Sequence, residues 1–472
     1  MEYSTPGRYF PEEPGGTHGV PMRSMGRGGS GSLMKDSIKK SLLEEAAKCV
    51  KCGACKSACP TFDILRREPS SPRGRVSLIE ARLRGAEGMR DEYVKHIKEC
   101  TLCGSCLSAC PKGVNVPELV LGARFSQSED ELIPSVFSLA AKNLLGAEGL
   151  APALVKTIMK AAGKLQGVFL KDAGSGEGLV TRFSLPFVGD GRLLPELPEV
   201  FFLDRPDISA MKDVKANARP TPESSSGQAL RKGTPAVGFF VGCGINYMLP
   251  SIGEATIKAL DSSGASVAVP AEQVCCGMPA LSSGDRQAAK ELALRNIEAF
   301  EKLELDYIVT SCATCGHALK NVFKDVLSGE RIEIRRKADA FASKVRDITE
   351  LLTKELIYEA KGERKQGIVT YHDPCHLKKY QGITEEPREL LAKSGHVFKG
   401  MKNPCKCCGL GGGLIFTNYE LSMKIAEKKA MSIEASGADI VATACPGCII
   451  QLKDACHRYG VDAKVVHVVE LL

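Results

Sequence analysis

Tryptophan is absent from this 472-residue sequence, and aromatic residues make up only 6% of it. Proteins that bind single-stranded nucleic acids stack the bases on aromatic side chains, so this scarcity argues against such a role. The formal net charge of +7 is modest for the length and does not indicate a nucleic-acid-binding surface. We therefore expect no nucleic-acid partner.

Long apolar segments are also missing. Residues 1–30 lack the apolar core of a signal peptide, and no uninterrupted apolar run approaches the ~20 residues that a membrane-spanning helix needs. No G-x-G-x-x-G stands between a strand pattern and a helix pattern, so we expect no flavin in this chain. The sequence predicts a cytoplasmic protein, or one that is peripheral at the inner face of the cell membrane or held there by a partner.

Cysteine, in contrast, is abundant: the chain has 20 cysteines, and they are clustered. Without an export signal, clustered cysteines in a long chain indicate metal or redox cofactors rather than disulfides. Their distribution divides the sequence into five predicted parts. These are a disordered tail (1–34), a segment with eight cysteines (35–120), a cysteine-free helical region and linker (121–235), and two similar domains (236–363 and 364–472).

Composition gives some detail on the cysteine-free part. Val136–Leu170 is rich in Ala, Leu and Lys, which favours amphipathic helices, and Asp204–Lys232 contains the Pro and Ser typical of a linker.

Two similar runs lie in the segment 35–120: CVKCGACKSACP at 49–60 and CTLCGSCLSACP at 100–111, with an offset of 51 residues. This spacing is known from bacterial ferredoxins with two [4Fe-4S] clusters, in which the fourth cysteine of each run binds the other cluster. We thus predict two cubane clusters. The ligands are Cys49, Cys52, Cys55 and Cys110 for cluster 1, and Cys100, Cys103, Cys106 and Cys59 for cluster 2.

Three further features accompany these runs. Gly53 and Gly104 are expected to allow a close approach of the backbone to the clusters. Zinc is the alternative ligand, but it needs four thiolates, typically from two separate Cys-x2-Cys pairs, so each run would have cysteines to spare. Four arginines follow the first run, and either balance cluster charge or dock an acidic partner: Arg66, Arg67, Arg73 and Arg75.

The C-terminal half is an internal duplication. DYIVTSCATC (306–315) matches DIVATACPGC (439–448), and KVRDITELL (344–352) matches KVVHVVELL (464–472). Because the offset falls from 133 to 120 residues, the first copy has an insertion of 13 residues. Each copy alternates strand and helix patterns, which predicts two α/β domains.

Five cysteines recur in each copy, as a single Cys, a Cys-Cys-Gly and a Cys-x2-Cys. The first set is Cys243, Cys275, Cys276, Cys312 and Cys315, and the second set is Cys375, Cys407, Cys408, Cys445 and Cys448. Five converging thiolates exceed the four that zinc takes and favour a larger iron–sulfur assembly. A strained vicinal disulfide, or zinc bound by four of the five, remains open.

Four other residues attract attention. His372 and His376 flank Cys375, where one could give a proton to a substrate thiolate, or cap a helix and bond to a ligand. Cys405 is an alternative ligand or a free thiol, and Cys456 is expected in the core. The glycines of CCGLGGG (407–413) do not form a phosphate loop, since G-x-x-x-x-G-K-[ST] is absent, and backbone donors around a cluster explain them.

Together these motifs resemble a known family: the iron–sulfur subunit of glycolate oxidase and related lactate-utilisation and D-lactate dehydrogenase proteins. The sequence is also similar, more distantly, to the Cys-Cys-Gly subunit of heterodisulfide reductase. The resemblance covers about residues 35–472 and rests on CVKCGACKSACPTF, SPRGR, DPCH and CCGLGGG. The extension 1–34 departs from the pattern. Both Cys-Cys-Gly copies are complete, whereas members often lose one.

The resemblance implies an oxidoreductase subunit with partners. In that family an FAD subunit oxidises a 2-hydroxy acid, glycolate or D-lactate, and electrons pass through the iron–sulfur subunit to a quinone or another carrier. The Cys-Cys-Gly sites then hold one or two further iron–sulfur clusters, of the noncubane [4Fe-4S] kind found in heterodisulfide reductases. This chain alone should not oxidise the acid. Two alternatives are a catalytic disulfide reductase acting at a Cys-Cys-Gly cluster, and a redox module of a membrane quinone complex.

The expected fold is therefore α+β and multidomain: an N-terminal α-helical ferredoxin-type domain followed by two duplicated α/β Cys-Cys-Gly domains.

Overall fold

The computed structural model describes residues 31–86, 88, 90–130, 170–174, 178–182, 191–212, 234–359 and 365–472, and single residues between 157 and 169. The predicted tail up to residue 30, most of the predicted helices in Val136–Leu170, and the linker from 213 to 232 lie outside this part of the chain.

The N-terminal domain is helical. Its helices are Gly31–Ala47, Pro60–Leu65, Pro72–Leu83, Arg90–Lys98, Ser105–Ser108 and Val116–Asp130, with 3-10 turns at Ala54–Lys56 and Glu68–Ser70. The first helix starts at Gly31, so it includes the last four residues of the predicted tail 1–34. The good helix formers Leu33, Met34 and Lys35 explain why the helix extends back into that glycine- and serine-rich stretch.

A small core holds these helices together. Val76, Ile79, Ile97 and Leu119 are fully buried in it and pack with the partly buried Cys49, Cys55, Cys100 and Cys110. The cysteine loops therefore rest on a packed helical base.

A short antiparallel pair of strands, β1 (Leu170–Asp172) and β2 (Leu179–Thr181), lies in the region predicted to hold only helices and a linker. Strands of three residues give too little alternation to be recognised in a sequence. A 3-10 turn, Phe202–Asp204, and a helix, Pro206–Ser209, follow them.

The two Cys-Cys-Gly copies have the same topology. Copy one forms a parallel sheet in the order β4-β3-β5-β6, from Ser266–Ala268, Ala236–Phe239, Tyr307–Thr310 and Val345–Asp347. Copy two repeats it as β8-β7-β9-β10, from Val397–Phe398, Ile368–Tyr371, Ile440–Thr443 and Lys464–His467. All described pairings in both sheets are parallel. The central strands are buried apolar runs, as expected for parallel sheets covered on both faces.

Helices cover these sheets. Those of copy one are Gly242–Tyr247, Pro250–Ser262, Met278–Ser282, Arg286–Glu301, Ala313–His317, Phe323–Val326, Ile332–Lys344 and Ile348–Glu350, with π-helical turns at Ala318–Val322 and Leu351–Glu355. Those of copy two are Cys375–Gln381, Glu386–Lys393, Leu414–Thr417, Tyr419–Glu434 and Pro446–Tyr459, with 3-10 turns at Gly411–Gly413 and Val468–Leu471.

The copies pack on each other in a crossed arrangement. The helix Ala313–His317 of copy one contacts Cys375–Gln381 of copy two, and Gly242–Tyr247 contacts Pro446–Tyr459. Each Cys-x2-Cys helix therefore lies on the helix that carries the first cysteine of the other copy. One continuous apolar core spans both sheets. The described residues thus form a helical ferredoxin-type domain and two parallel α/β domains.

Candidate metal centres

The first ferredoxin-type loop surrounds a pocket beneath the end of the helix Gly31–Ala47. Cys49, Cys52 and Cys55 line it together with Cys110, which comes from the end of the second run. Gly53, with φ of +87°, turns the chain between them, and a Cβ there would lie 2.7 Å from Nη1 of Arg73. The close neighbour of this glycine is thus an arginine side chain. The four thiols brought together are those predicted for cluster 1.

A second pocket joins the two runs in the opposite sense. Cys100, Cys103 and Cys106 line it with Cys59 of the first run. Burial raises the pKa of Cys106, and its neighbours Cys100, Cys103 and Cys59 raise it further. Mutual repulsion between ionised thiolates calls for a cation between them, so this set fits an iron cluster.

Arg75 lies beside the second pocket and is 1% exposed. Its guanidinium donates to the carbonyl of His96 at 2.8 Å, to Oγ1 of Thr61 at 3.1 Å and towards Sγ of Cys59 at 3.9 Å. Solvated charge balance was the favoured interpretation for each arginine taken singly, but Arg75 is instead a buried hydrogen-bonding residue. Arg66, by contrast, is exposed and pairs with Asp63 at 2.8 Å.

The first Cys-Cys-Gly set lies at the carboxyl ends of β3 and β5, which carry Cys243 and Cys312 just beyond their last residues. These neighbouring strands connect to opposite sides of the sheet, and the crevice at such a switch point is the usual binding site of parallel sheets. Cys275 contacts Cys243 and Cys276, Cys276 contacts Cys315, and Cys315 contacts Cys312.

The second set repeats this arrangement after β7 and β9. Sγ of Cys408 lies 3.6 Å from Sγ of Cys448, and the amide of Gly409 donates to Sγ of Cys407 at 3.4 Å. Cys375 contacts Cys407, and Cys448 contacts Cys445. The twenty cysteines of the chain, all within the described residues, are free thiols, so the vicinal pairs form no disulfide here.

Contacts also link the sets to one another. Cys312 of the first set contacts Cys445 of the second, and Cys375 and Cys407 of the second set both contact Cys103 of the ferredoxin-type domain. The thiols therefore form one unbroken series. In order it runs Cys243, Cys275, Cys276, Cys315, Cys312, Cys445, Cys448, Cys408, Cys407, Cys375 and Cys103.

The helix Cys375–Gln381 fixes the junction with the ferredoxin-type domain. The hydroxyl of Tyr380 donates to the carbonyl of Leu102 at 2.9 Å, and Nζ of Lys379 bonds to Ser105 and lies 4.0 Å from Sγ of Cys375. The ring of Tyr380 also packs 3.0 Å from the position of a Cβ on Gly104. Sequence reasoning missed both residues, which belong to no recognised motif.

A single buried arginine ties the three domains together. Arg124 donates to the carbonyls of Ile97, Lys98 and Cys100 in its own domain, of Ser282 in copy one and of Gly412 in copy two, at 2.7–3.1 Å. Burial lowers its pKa to about 10, which leaves it charged at neutral pH. This residue was not predicted either, because its partners are far away in sequence.

The glycine-rich turn of copy two lies against the second ferredoxin-type run. A Cβ on Gly411 would lie 2.4 Å from the carbonyl oxygen of Thr101, and one on Gly412 would lie 2.2 Å from that of Cys100. Gly409 does donate to a thiol, as proposed, but these two glycines serve the contact between domains.

The remaining candidates fall around the second set. Nδ1 of His376 lies 2.9 Å from Oγ1 of Thr314, and its ring stacks on His317 with centroids 5.2 Å apart. Cys405 lines a cavity of about 310 Å³ between the domains, beside Lys379, Lys428 and Lys429. Cys456 is 5% exposed within the main core, which confirms that prediction. Among the described residues, no helix is long and apolar enough to cross a membrane.

Comparison with known proteins agrees with this geometry. The family described as "Cysteine-rich domain" matches residues 237–320 and 369–453, and the "4Fe-4S dicluster domain" matches 45–114. A probable glycolate oxidase iron-sulfur subunit from Bacillus subtilis is 32% identical, over 91% of this chain and 93% of its own length. One of the subunits of fumarate reductase (CoM/CoB) from Methanothermobacter marburgensis is 29% identical, over 90% of this chain and 71% of its own. Lactate utilization protein A 2 from Bacillus mycoides is 34% identical, over 50% of this chain and 98% of its own.

The chain therefore belongs to the family of glycolate oxidase iron–sulfur subunits. It is an iron–sulfur oxidoreductase subunit with a role in electron transfer.

Proposed function

We propose that this chain serves a dehydrogenase complex, in which an FAD-containing partner oxidises glycolate or D-lactate and a quinone or another carrier receives the electrons. The observation that carries the proposal is the unbroken series of contacting thiols from Cys243 to Cys103. Such continuity is what an electron relay requires, whereas isolated structural metal sites do not need to touch.

The residues that would hold the cofactors are the predicted sets. The eight cysteines of the ferredoxin-type domain would bind two [4Fe-4S] cubanes, with Cys110 and Cys59 crossing over. The ten cysteines of the two copies would bind one or two further clusters, of noncubane type. When bound, such clusters accept and release single electrons at potentials set by their surroundings.

The surface near Cys52 is a suitable entrance for electrons. Cys52 is exposed, whereas the thiols of the two Cys-Cys-Gly sets are buried or half-buried. Lys51, Arg73 and Lys112 line the same pocket, so the surrounding charge is positive. We propose that an acidic surface of the flavoprotein docks here, since opposite charges speed association. Any attachment to the membrane would be peripheral or through a partner.

Iron analysis and partner reduction test this proposal. Chain purified without oxygen should contain about 16 irons if four clusters are present, at about four irons each. Mixed with the flavoprotein and glycolate or D-lactate, it should be reduced rapidly. Lys51→Glu with Lys112→Glu should slow that reduction several-fold without loss of iron, while the exposed Lys337→Glu should not.

Two results would contradict it. Stoichiometric zinc with little iron would refute the cofactor assignment. Failure of both acids to reduce the chain through any flavoprotein encoded beside it would refute the substrate assignment.

A second candidate is reduction of a disulfide at the Cys-Cys-Gly sites. The contact between Cys312 and Cys445 favours it, because it brings two complete five-thiol sets together in one buried place. The reaction would consume two electrons and two protons for each disulfide and release two thiols. Turnover of a disulfide with a one-electron donor and no flavoprotein would establish this activity and refute the dehydrogenase proposal.

A further inference from the structure

The two Cys-Cys-Gly copies differ at one buried position beside the thiols. The amide of Phe240 donates to the carbonyl of Val309 at 2.8 Å, and the amide of His372 donates to that of Ala442 at 2.9 Å. Both residues directly follow the first strand of their sheet and stand three residues before the first cysteine. Phe240 in copy one therefore corresponds to His372 in copy two.

The imidazole of His372 is buried without a partner. The residue is 0% exposed, and neither ring nitrogen has a hydrogen bond of normal geometry, although the carbonyl of Pro404 lies nearby. Enclosing an unpartnered polar ring is unfavourable. Phe240 carries no such penalty at the matching position, so a residue kept for packing alone would not need to be histidine.

The ring lies against two thiols of the second set. A ring nitrogen of His372 and the Sγ atoms of Cys408 and Cys448 all lie within 4.8 Å of one another. The two sulfur atoms are 3.6 Å apart. Neutral imidazole nitrogen and thiolate sulfur are both ligands of iron and zinc, and this spacing leaves room for a metal ion in contact with all three.

Burial keeps this ring in the form that binds metal. The pKa of His372 is lowered to about 3, chiefly by burial and then by the nearby ammonium of Lys429. One ring nitrogen therefore carries a free lone pair at neutral pH.

We propose that His372 binds iron in the cluster held by the second Cys-Cys-Gly set, so that this site has an imidazole ligand that the first site lacks. The inference rests on the proposed function, since it requires a cluster at that set. A neutral imidazole carries less negative charge than a thiolate, and the same substitution raises the potential of Rieske centres. The second site, next to Cys103, should therefore hold an electron more readily than the first.

Pulsed EPR on the whole chain with ¹⁵N-labelled histidine tests this inference. The reduced, unaltered chain should show the strong nitrogen coupling of a directly bound imidazole. His372→Phe, which copies the residue of the first site, should abolish that coupling and lower the potential of one cluster. His376→Asn and His467→Gln are matched controls near Cys445, and both should retain the coupling.

Two spectra would overturn the proposal: no strong histidine coupling in the unaltered chain, or the same coupling in His372→Phe. The first reading needs no variant, so it stands even if the substitution impairs folding. Iron content separates this failure from that of the proposed function. Iron at the second set without coupling refutes the ligand alone, whereas absence of iron there refutes the cluster and the ligand together.

Discussion

The contact between Gly412 and the second ferredoxin-type run gives a prediction with an internal control. Gly412 and Gly413 both have positive φ, +65° and +78°. Replacing either by alanine forces a left-handed conformation that costs about 1–2 kcal/mol. A Cβ on Gly413 meets nothing within 4 Å, but one on Gly412 would lie 2.2 Å from the carbonyl oxygen of Cys100. Only Gly412→Ala must therefore move the two domains apart.

The size of the difference follows from what that movement breaks. The carbonyl of Gly412 accepts a hydrogen bond from Arg124 at 2.8 Å, and a bond to a charged donor contributes about 1.5–3 kcal/mol. We expect Gly413→Ala to lose about 1–2 kcal/mol and Gly412→Ala about 3–5 kcal/mol. The measurement is urea unfolding followed by circular dichroism.

EPR gives a second reading of the same pair of variants. Displacement of Cys100 should alter the signal of the second ferredoxin-type cluster in Gly412→Ala and leave it unchanged in Gly413→Ala. Equal losses of stability with identical spectra would show that the glycine-rich turn does not support the domain contact, and would refute this reasoning.

Three other predictions concern separate features. Arg124→Met should destabilise the chain by about 3 kcal/mol or more, because buried carbonyls of three domains lose their donor, whereas the exposed Arg84→Met should change stability by under about 0.5 kcal/mol; thermal unfolding distinguishes them. On the helix Pro446–Tyr459, Cys448→Ala should lower the iron content while Cys456→Ala should not, and equal losses by metal analysis would contradict the ligand assignment. Burial raises the pKa of Asp347 to about 7, above its ordinary 3.8, so the native state binds the extra proton and stability should fall as pH rises from about 4 to 7. Asp347→Asn should remove up to about 4 kcal/mol of that fall in urea titrations at several pH values, and an unchanged slope would refute the shift.

Local patterns in the sequence predicted much of the architecture. The duplicated spacing of the cysteines and the alternating strand and helix patterns correctly indicated two parallel α/β domains of one topology. Short-range signals suffice there, because each cysteine follows a strand or begins a helix whose pattern lies in the adjacent residues. The predicted ligand sets also come together in pockets, but their assignment to clusters stays a prediction.

Contacts between distant segments were not predictable in the same way. Arg124 bonds to carbonyls as far away as Gly412, and backbone carbonyls carry no residue identity that a sequence could reveal. Tyr380 and Lys379 stand in an ordinary helical pattern and gain their role only when the helix meets the ferredoxin-type loop. His372 was noticed beside Cys375, but its difference from Phe240 becomes informative only once both are seen buried against thiols.

The crossed packing of the two copies has a consequence for synthesis on the ribosome. The helix Ala313–His317 packs on Cys375–Gln381, and Gly242–Tyr247 packs on Pro446–Tyr459. Translation at about 5–20 residues per second therefore leaves the helices of copy one without their partners for several seconds or more. During that time the first five thiols are accessible to solvent and to oxidants. Insertion of iron into copy one before copy two emerges would protect them, so we expect metal loading and folding of the second half to compete in time.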